Sequence, residues 1–215
     1  GVEIDMPKAQ RKEVRARFAD SPVRLVGLGT TCEYHAVDPA EVRAQIERTL
    51  RWIELAADVG AMGVKVRPNG LQEKAGVPKE VTLSQIARAL RECGDAARDA
   101  GVEIWLEVHG RDTAHPPNIR TIMEECNHPA VGVCWNSNPQ DVVDGSVARY
   151  FELLRPWLRS CHINELWKPD YPYRELFTLL KQAGYDRHTL AEIPESPEPE
   201  RLMRYYAALW RCLTA

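Results

Sequence analysis

The chain has 215 residues, 44% of them hydrophobic and 27% charged, with a formal net charge of -3; these are ordinary globular values and exclude a disordered or fibrous architecture. Lys and Arg are scattered among Asp and Glu, so the basic footprint of a nucleic-acid binder is missing and a small neutral or weakly charged partner fits better. No apolar run approaches the roughly 20 residues of a membrane span and no basic-then-apolar leader opens the chain, which predicts a cytoplasmic protein with no membrane partner, folded as one domain over residues 1–215.

Short β-branched runs alternate with longer stretches of helical period, the rhythm of parallel strands joined by right-handed helical crossovers. The class is therefore α/β. Residues 1–4 read as a first strand, 9–19 as a helix and 24–28 as a second strand. Asp38 before Pro39 is an N-cap with proline at the first helical position; Val42, Ile46, Leu50 and Ile53 follow at helical spacing until Gly60 supplies a stop. A third strand covers 64–67. Thr82 with Gln85 reads as a capping box ahead of the stripe Ile86, Leu90 and Cys93, and Gly101 ends that helix before a strand over 103–108. The pattern continues with a helix over 118–126, a strand over 131–135, a helix over 146–154, a strand over 160–164, a helix over 173–183, a strand over 189–193 and a helix over 199–213. That makes seven strands. Cys32, Cys93, Cys126, Cys134, Cys161 and Cys212 form no C-x-x-C pair and read as reduced.

In parallel α/β proteins function gathers where strands run into the following helix. Four apolar strands end in polar residues: Glu107 and His109, Asn136 and Asn138, His162 and Asn164, and Glu192. Side chains alternate along a strand, which puts Glu107 on the face of Trp105, Asn136 on that of Cys134, His162 on that of Ser160 and Glu192 on that of Leu190. One such residue alone is ordinarily a solvated loop side chain. Four on matching faces form a hard, oxygen-rich set with one nitrogen, suited to one Mn²⁺ or Mg²⁺ and compatible with Zn²⁺ or Co²⁺.

The segments Leu-Glu-Val-His-Gly, Val-Gly-Val-Cys-Trp-Asn-Ser-Asn, Cys-His-Ile-Asn-Glu and Ala-Glu-Ile-Pro-Glu resemble the successive metal-site motifs of the xylose isomerase-like barrel superfamily, the sugar phosphate isomerases and epimerases. The resemblance runs from Gly1 to the last helix and implies a (β/α) TIM barrel. Gly-Val-Glu-Ile resembles that barrel's second strand, so the first β/α unit is expected to be missing, the domain N-terminally truncated, and seven of eight strands present. The family's ligand order of glutamate, aspartate, histidine and glutamate falls on Glu107, Asn136, His162 and Glu192. Asparagine in place of aspartate keeps an oxygen but removes a charge, so the cation is expected to bind more weakly or to be held partly by substrate.

The activity implied is metal-dependent isomerisation or epimerisation of a ketose or related sugar. Glu107 and Glu192 would move the proton at the carbon next to the carbonyl, and the cation would stabilise the enediolate. His109, Arg67, Asn138, Asn164, Glu33 and Lys168 are the candidate substrate-binding residues, with His35 beside Glu33 on the rim. Glu165 lies on the opposite strand face from His162 and is excluded. The acidic run Glu-Ile-Pro-Glu-Ser-Pro-Glu-Pro-Glu after the last strand would repel phosphate, which favours an unphosphorylated sugar or polyol. Two other readings stay open: a metal-dependent lyase or dehydratase on a keto-sugar or keto-polyol, and a catalytically silent barrel used as a binding subunit. An incomplete barrel also exposes two strand edges, which suits a homo-oligomer.

Overall fold

The computed structural model describes residues 2–215. Among them, six strands alternate with helices: α1 Lys8–Ala19, β1 Gly27–Gly29, α2 Pro39–Val59, β2 Gly63–Val66, α3 Lys79–Ala100, β3 Glu103–Glu107, α4 Pro116–Cys126, β4 Val131–Asn136, α5 Ala148–Leu154, β5 Leu158–Ile163, α6 Tyr173–Gln182, β6 Thr189–Ala191 and α7 Pro199–Thr214. The strands pair only with their neighbours in the chain, all parallel, in the order β1-β2-β3-β4-β5-β6. This is the wall of a barrel left open between β1 and β6. The helices cover its convex side, and Leu55, Leu83, Ile86, Leu90, Ile104, Leu106, Ile119 and Ile122 are fully buried between the two layers. Each such side chain contributes about 1.5–3 kcal/mol of transfer free energy.

The helix signals of α2 are realised as the sequence specifies. Asp38 accepts a hydrogen bond from the Ala40 amide at 2.8 Å, and Gly60 closes the helix in the left-handed conformation at φ 83°. The capping box expected at Thr82 and Gln85 does not form, because Pro78 starts α3 four residues before Thr82. Thr82 is buried inside the helix, and Gln85 Nε2 instead donates to the carbonyls of Tyr34 and Ala36.

The strand expected over residues 1–4 is also corrected: Val2–Ile4 are not β-structure, and Gly1 lies outside the described residues. Their backbone is engaged elsewhere. The Ile4 carbonyl accepts from Arg11 Nη2 at 3.2 Å and Arg51 Nη2 at 3.4 Å, and Met6 N bonds Glu3 O in a turn. Arg11 is buried, with Nη1 2.9 Å from Asp58 Oδ2 and Nε 2.8 Å from Met6 O, so it pins this segment against α2. Val2 and Ile4 contribute apolar packing rather than ladder bonds.

The concave side is filled at its amino-terminal end by Trp105. A Cβ on Gly63 would fall 2.5 Å from the ring's Cε2, and one on Gly27 would collide with the same ring. Glycines at the starts of β1 and β2 thus admit the indole. Its Nε1 donates to Glu103 Oε2 at 2.7 Å, and Arg187, just before β6, grips the same carboxylate with Nη1 at 2.8 Å and Nη2 at 3.0 Å. The clamp joins β3 to the segment leading into β6 across the concave face.

Candidate metal centre

At the carboxyl ends of the strands, Glu107 closes β3, Asn136 closes β4 and His162 is the penultimate residue of β5, while Glu192 follows β6 by one position. Asn136 is level with His162, whereas Glu107 is level with Cys134, two residues earlier on β4. A register shift in the β4–β5 pairing between Val133 and Cys134 brings Asn136 level with His162 rather than with Cys161. The side chains converge. His162 Nδ1 lies 3.0 Å from Glu107 Oε1 and 3.5 Å from Glu192 Oε2, and one donor atom from each of the three residues falls within 4.8 Å of the others.

Glu107 is 1% exposed. Removing a carboxylate from water costs several kcal/mol unless it is paired, and three groups compensate here. Lys65 Nζ donates to Oε2 at 2.9 Å, while His162 Nδ1 and Asn136 Nδ2 approach Oε1 at 3.0 and 3.3 Å. Burial pushes the Glu107 carboxyl up, but His162 and the Lys65 ammonium outweigh it and hold the group at about 2. Burial likewise disfavours an imidazolium at His162, yet contacts with Cys134, Glu107 and Glu192 push it up to about 12. Glu192 is held below the usual carboxylate range, mainly by its bond to His162. The metal-free cluster is therefore a proton held between two carboxylates.

The donor chemistry fits a divalent cation, which would replace that proton at Nδ1 while keeping both carboxylates. Asn136 differs from the other three. Its Nδ2 faces Glu107 while its Oδ1 is 3.4 Å from Asn164 Nδ2, so it contributes an oxygen only if the amide turns over and gives up both contacts.

The remaining candidates are placed as follows. Asn164 Nδ2 donates to the Ser137 carbonyl at 2.9 Å, and Asn138 Nδ2 donates to the Val108 carbonyl at 2.6 Å, so both carboxamides brace the strand ends. Arg67 and Glu33 pair with each other at 2.5 Å, with His35 Nδ1 3.7 Å from the same carboxylate. His109 Nδ1 is 2.9 Å from Asn69 Oδ1. Lys168 is exposed and has no side-chain partner among the described residues, and Glu165 accepts from Trp167 outside the cluster. Neither joins the three-residue cluster.

Sequence reasoning misses two groups. Lys65 was visible as a lone cation inside the apolar strand Gly-Val-Lys-Val. Asp141 is fully buried, accepts from the Asn138 amide at 2.8 Å and from the Tyr171 hydroxyl at 3.1 Å, and thereby holds the loop after β4. Burial pushes its carboxyl up to about 8 against those two bonds.

Comparison with known proteins agrees with this architecture. The family model described as xylose isomerase-like TIM barrel matches residues 1–211. A ketose 3-epimerase of Arthrobacter globiformis is 24% identical over 199 residues, covering 86% of this chain and 69% of that protein. The apo structure of 3-keto-D-glucoside 4-epimerase from E. coli superposes with a TM-score of 0.82 at 15% identity, over 98% of this chain and 87% of the other. A xylose isomerase-like TIM barrel protein from Mycobacterium smegmatis, solved in complex with magnesium, gives 0.73 at 18% identity, over 98% and 80%. With its open parallel wall and strand-end cluster matched by a family model over nearly the whole chain, this protein belongs to the xylose isomerase-like TIM-barrel family.

Proposed function

We propose that this chain is a divalent-metal-dependent sugar epimerase or isomerase that moves a proton at the carbon next to the carbonyl of an unphosphorylated ketose. One observation carries the reading: two carboxylates from strands three apart in the sheet, Glu107 at the end of β3 and Glu192 just after β6, flank the single imidazole of His162. The similarity to a ketose 3-epimerase and the fold of a magnesium-bound relative support it.

Glu107, His162 and Glu192 would hold the cation, with Asn136 as a fourth donor. Bound there, Mn²⁺ or Mg²⁺ supplies polarisation of the carbonyl and its neighbouring hydroxyl. The two glutamates divide the proton transfer. One takes the carbon-bound proton, leaving an enediolate, and the other returns a proton from the opposite face, so the configuration inverts. Delivery to the former carbonyl carbon would instead give the aldose. Glu107 is kept ionised by Lys65 and so stands in the form that can accept a proton, while half-exposed Glu192 exchanges with solvent. Asn138, Asn164, His109, Arg67, Glu33 and Lys168 would surround the sugar. Six unpaired cysteines suit a reducing, cytoplasmic setting.

The test is a screen of ketoses in deuterated buffer with Mn²⁺, following carbon-bound deuterium and the epimeric product. Exchange with conserved mass is expected, reduced at least 100-fold in Glu107→Gln and Glu192→Gln. Release of water would move the protein to the lyases, and no exchange with any ketose would refute the proposal.

A further inference from the structure

Asn69, in the loop after β2, has φ 63°, a left-handed conformation that is uncommon outside glycine and that asparagine tolerates best. Its Oδ1 lies 2.9 Å from His109 Nδ1. The next residue after that histidine, Gly110, has φ 93°, and a Cβ there would fall 2.7 Å from the Asn69 backbone, so only glycine lets the two loops approach this closely. Thr113 Oγ1 donates to the His109 carbonyl at 2.6 Å, and Asn138 Nδ2 to the Val108 carbonyl at 2.6 Å. Four separate features thus fix the two residues beyond Glu107. Backbone strain of this kind persists where the surroundings impose a geometry.

A carboxamide oxygen can only accept. The imidazole nitrogen facing it must carry the proton, and a neutral ring then has its lone pair on Nε2. No group among the described residues hydrogen-bonds Nε2, and His109 is partly exposed at the strand end. We propose that Asn69 is a positioning residue that holds His109 as an acceptor through Nε2, and that this nitrogen receives a hydrogen bond from a hydroxyl of the sugar. The chemistry selects a hydroxyl over a carbonyl or carboxylate at that place in the substrate, since neither of those can donate. The substrate role rests on the epimerase reading above; the tautomer does not.

Two readouts keep these apart. Imidazole ¹⁵N NMR of the metal-free protein distinguishes the protonated from the bare nitrogen of His109 without any substrate. Wild type is expected to show the proton on Nδ1, Asn69→Gly a mixture of tautomers, and Asn69→Asp, which keeps an acceptor, the wild-type pattern. Glycine adopts φ 63° freely, so Asn69→Gly is expected to melt no lower than wild type. With a ketose substrate, Asn69→Gly should raise KM about tenfold with kcat within about twofold, and Asn69→Asp should return KM to within about threefold of wild type. The proposal is overturned if Asn69→Gly keeps one tautomer and the wild-type KM, or if Asn69→Asp behaves like Asn69→Gly. A wild-type protein inactive on every ketose, yet with the proton on Nδ1, would sink the substrate role and leave the tautomer standing.

Discussion

Lys65 and Glu107, on adjacent strands, meet at 2.9 Å through Nζ and Oε2, and this leaves Oε1 as the carboxylate oxygen turned toward His162. The lysine both neutralises a buried charge and chooses which oxygen faces the cluster. Replacing it with methionine strands the carboxylate, so Lys65→Met is expected to destabilise the metal-free protein by about 3 kcal/mol. Mn²⁺ should recover most of that loss by taking over the neutralisation. Urea unfolding with and without the ion checks this, and equal losses in both conditions would contradict it.

Cation binding should depend steeply on pH. In the metal-free protein His162 is pushed up to about 12, so the ion must displace a proton throughout the neutral range. The apparent affinity for Mn²⁺ is expected to rise about tenfold per pH unit between pH 6 and 8. Titration calorimetry in buffers of different ionisation enthalpy would count the released proton. A count near zero would mean that Nδ1 is not a ligand.

For the stability of the metal-free protein the two groups act in opposite directions. Glu107 is lowered from 4.5 to about 2, so its contribution is present above pH 4.5 and is lost as pH falls toward 2. His162 is raised from 6.5 to about 12, so its contribution is present below pH 6.5 and fades as pH rises toward 12. The stability difference between wild type and His162→Gln should therefore be largest near pH 5 to 6 and shrink on the alkaline side. A difference that grows between pH 7 and 10 would reverse the sign.

The strand ends are legible in the sequence because a polar residue closing an apolar run stands out: Glu107, His162 and Glu192 were all found that way. Alternation along each strand then predicts that they share a face, and the structure brings these three together. Pattern alone does not supply partners. Residues 1–4 carry the same β-branched signature as a true strand, but Arg11 and Arg51 claim the Ile4 carbonyl. Thr82 and Gln85 have the right spacing for a cap, yet Pro78 starts the helix first. The part played by Asn69 depends on a backbone angle and on Gly110 across the loop, and neither is written in residue spacing.

Asn136→Asp tests the unusual position in the ligand set. With no cation, a third carboxylate would face Glu107 Oε1 where an amide now donates at 3.3 Å, so the metal-free variant should lose about 1–2 kcal/mol. Its affinity for Mn²⁺ should rise about tenfold or more, because a charged oxygen replaces a neutral one. Unfolding and calorimetry on the same sample check both, and a variant that binds the ion no better would remove position 136 from the site.

Asp141 offers a test away from the cluster. Its carboxyl is raised from 3.8 to about 8 by burial, so the folded state holds a proton that the unfolded chain gives up. Its cost to stability is absent below pH 3.8 and complete above pH 8. Asp141→Asn removes that titration, and the stability of wild type relative to the variant should fall steadily from pH 5 to pH 8 in denaturant titrations. A pH-independent difference would mean that the carboxyl is not buried as a neutral acid.

The grip of Arg187 on Glu103 has a mechanical consequence. Six strands hydrogen-bonded only to their neighbours have nothing in the ladder itself to stop the arc from flattening. Glu103 begins the strand that Glu107 ends, and Arg187 precedes Glu192 by five residues. A strut between the lower ends of these two segments therefore sets the radius of curvature, and with it the span across which the two acids at the upper ends can reach a common centre.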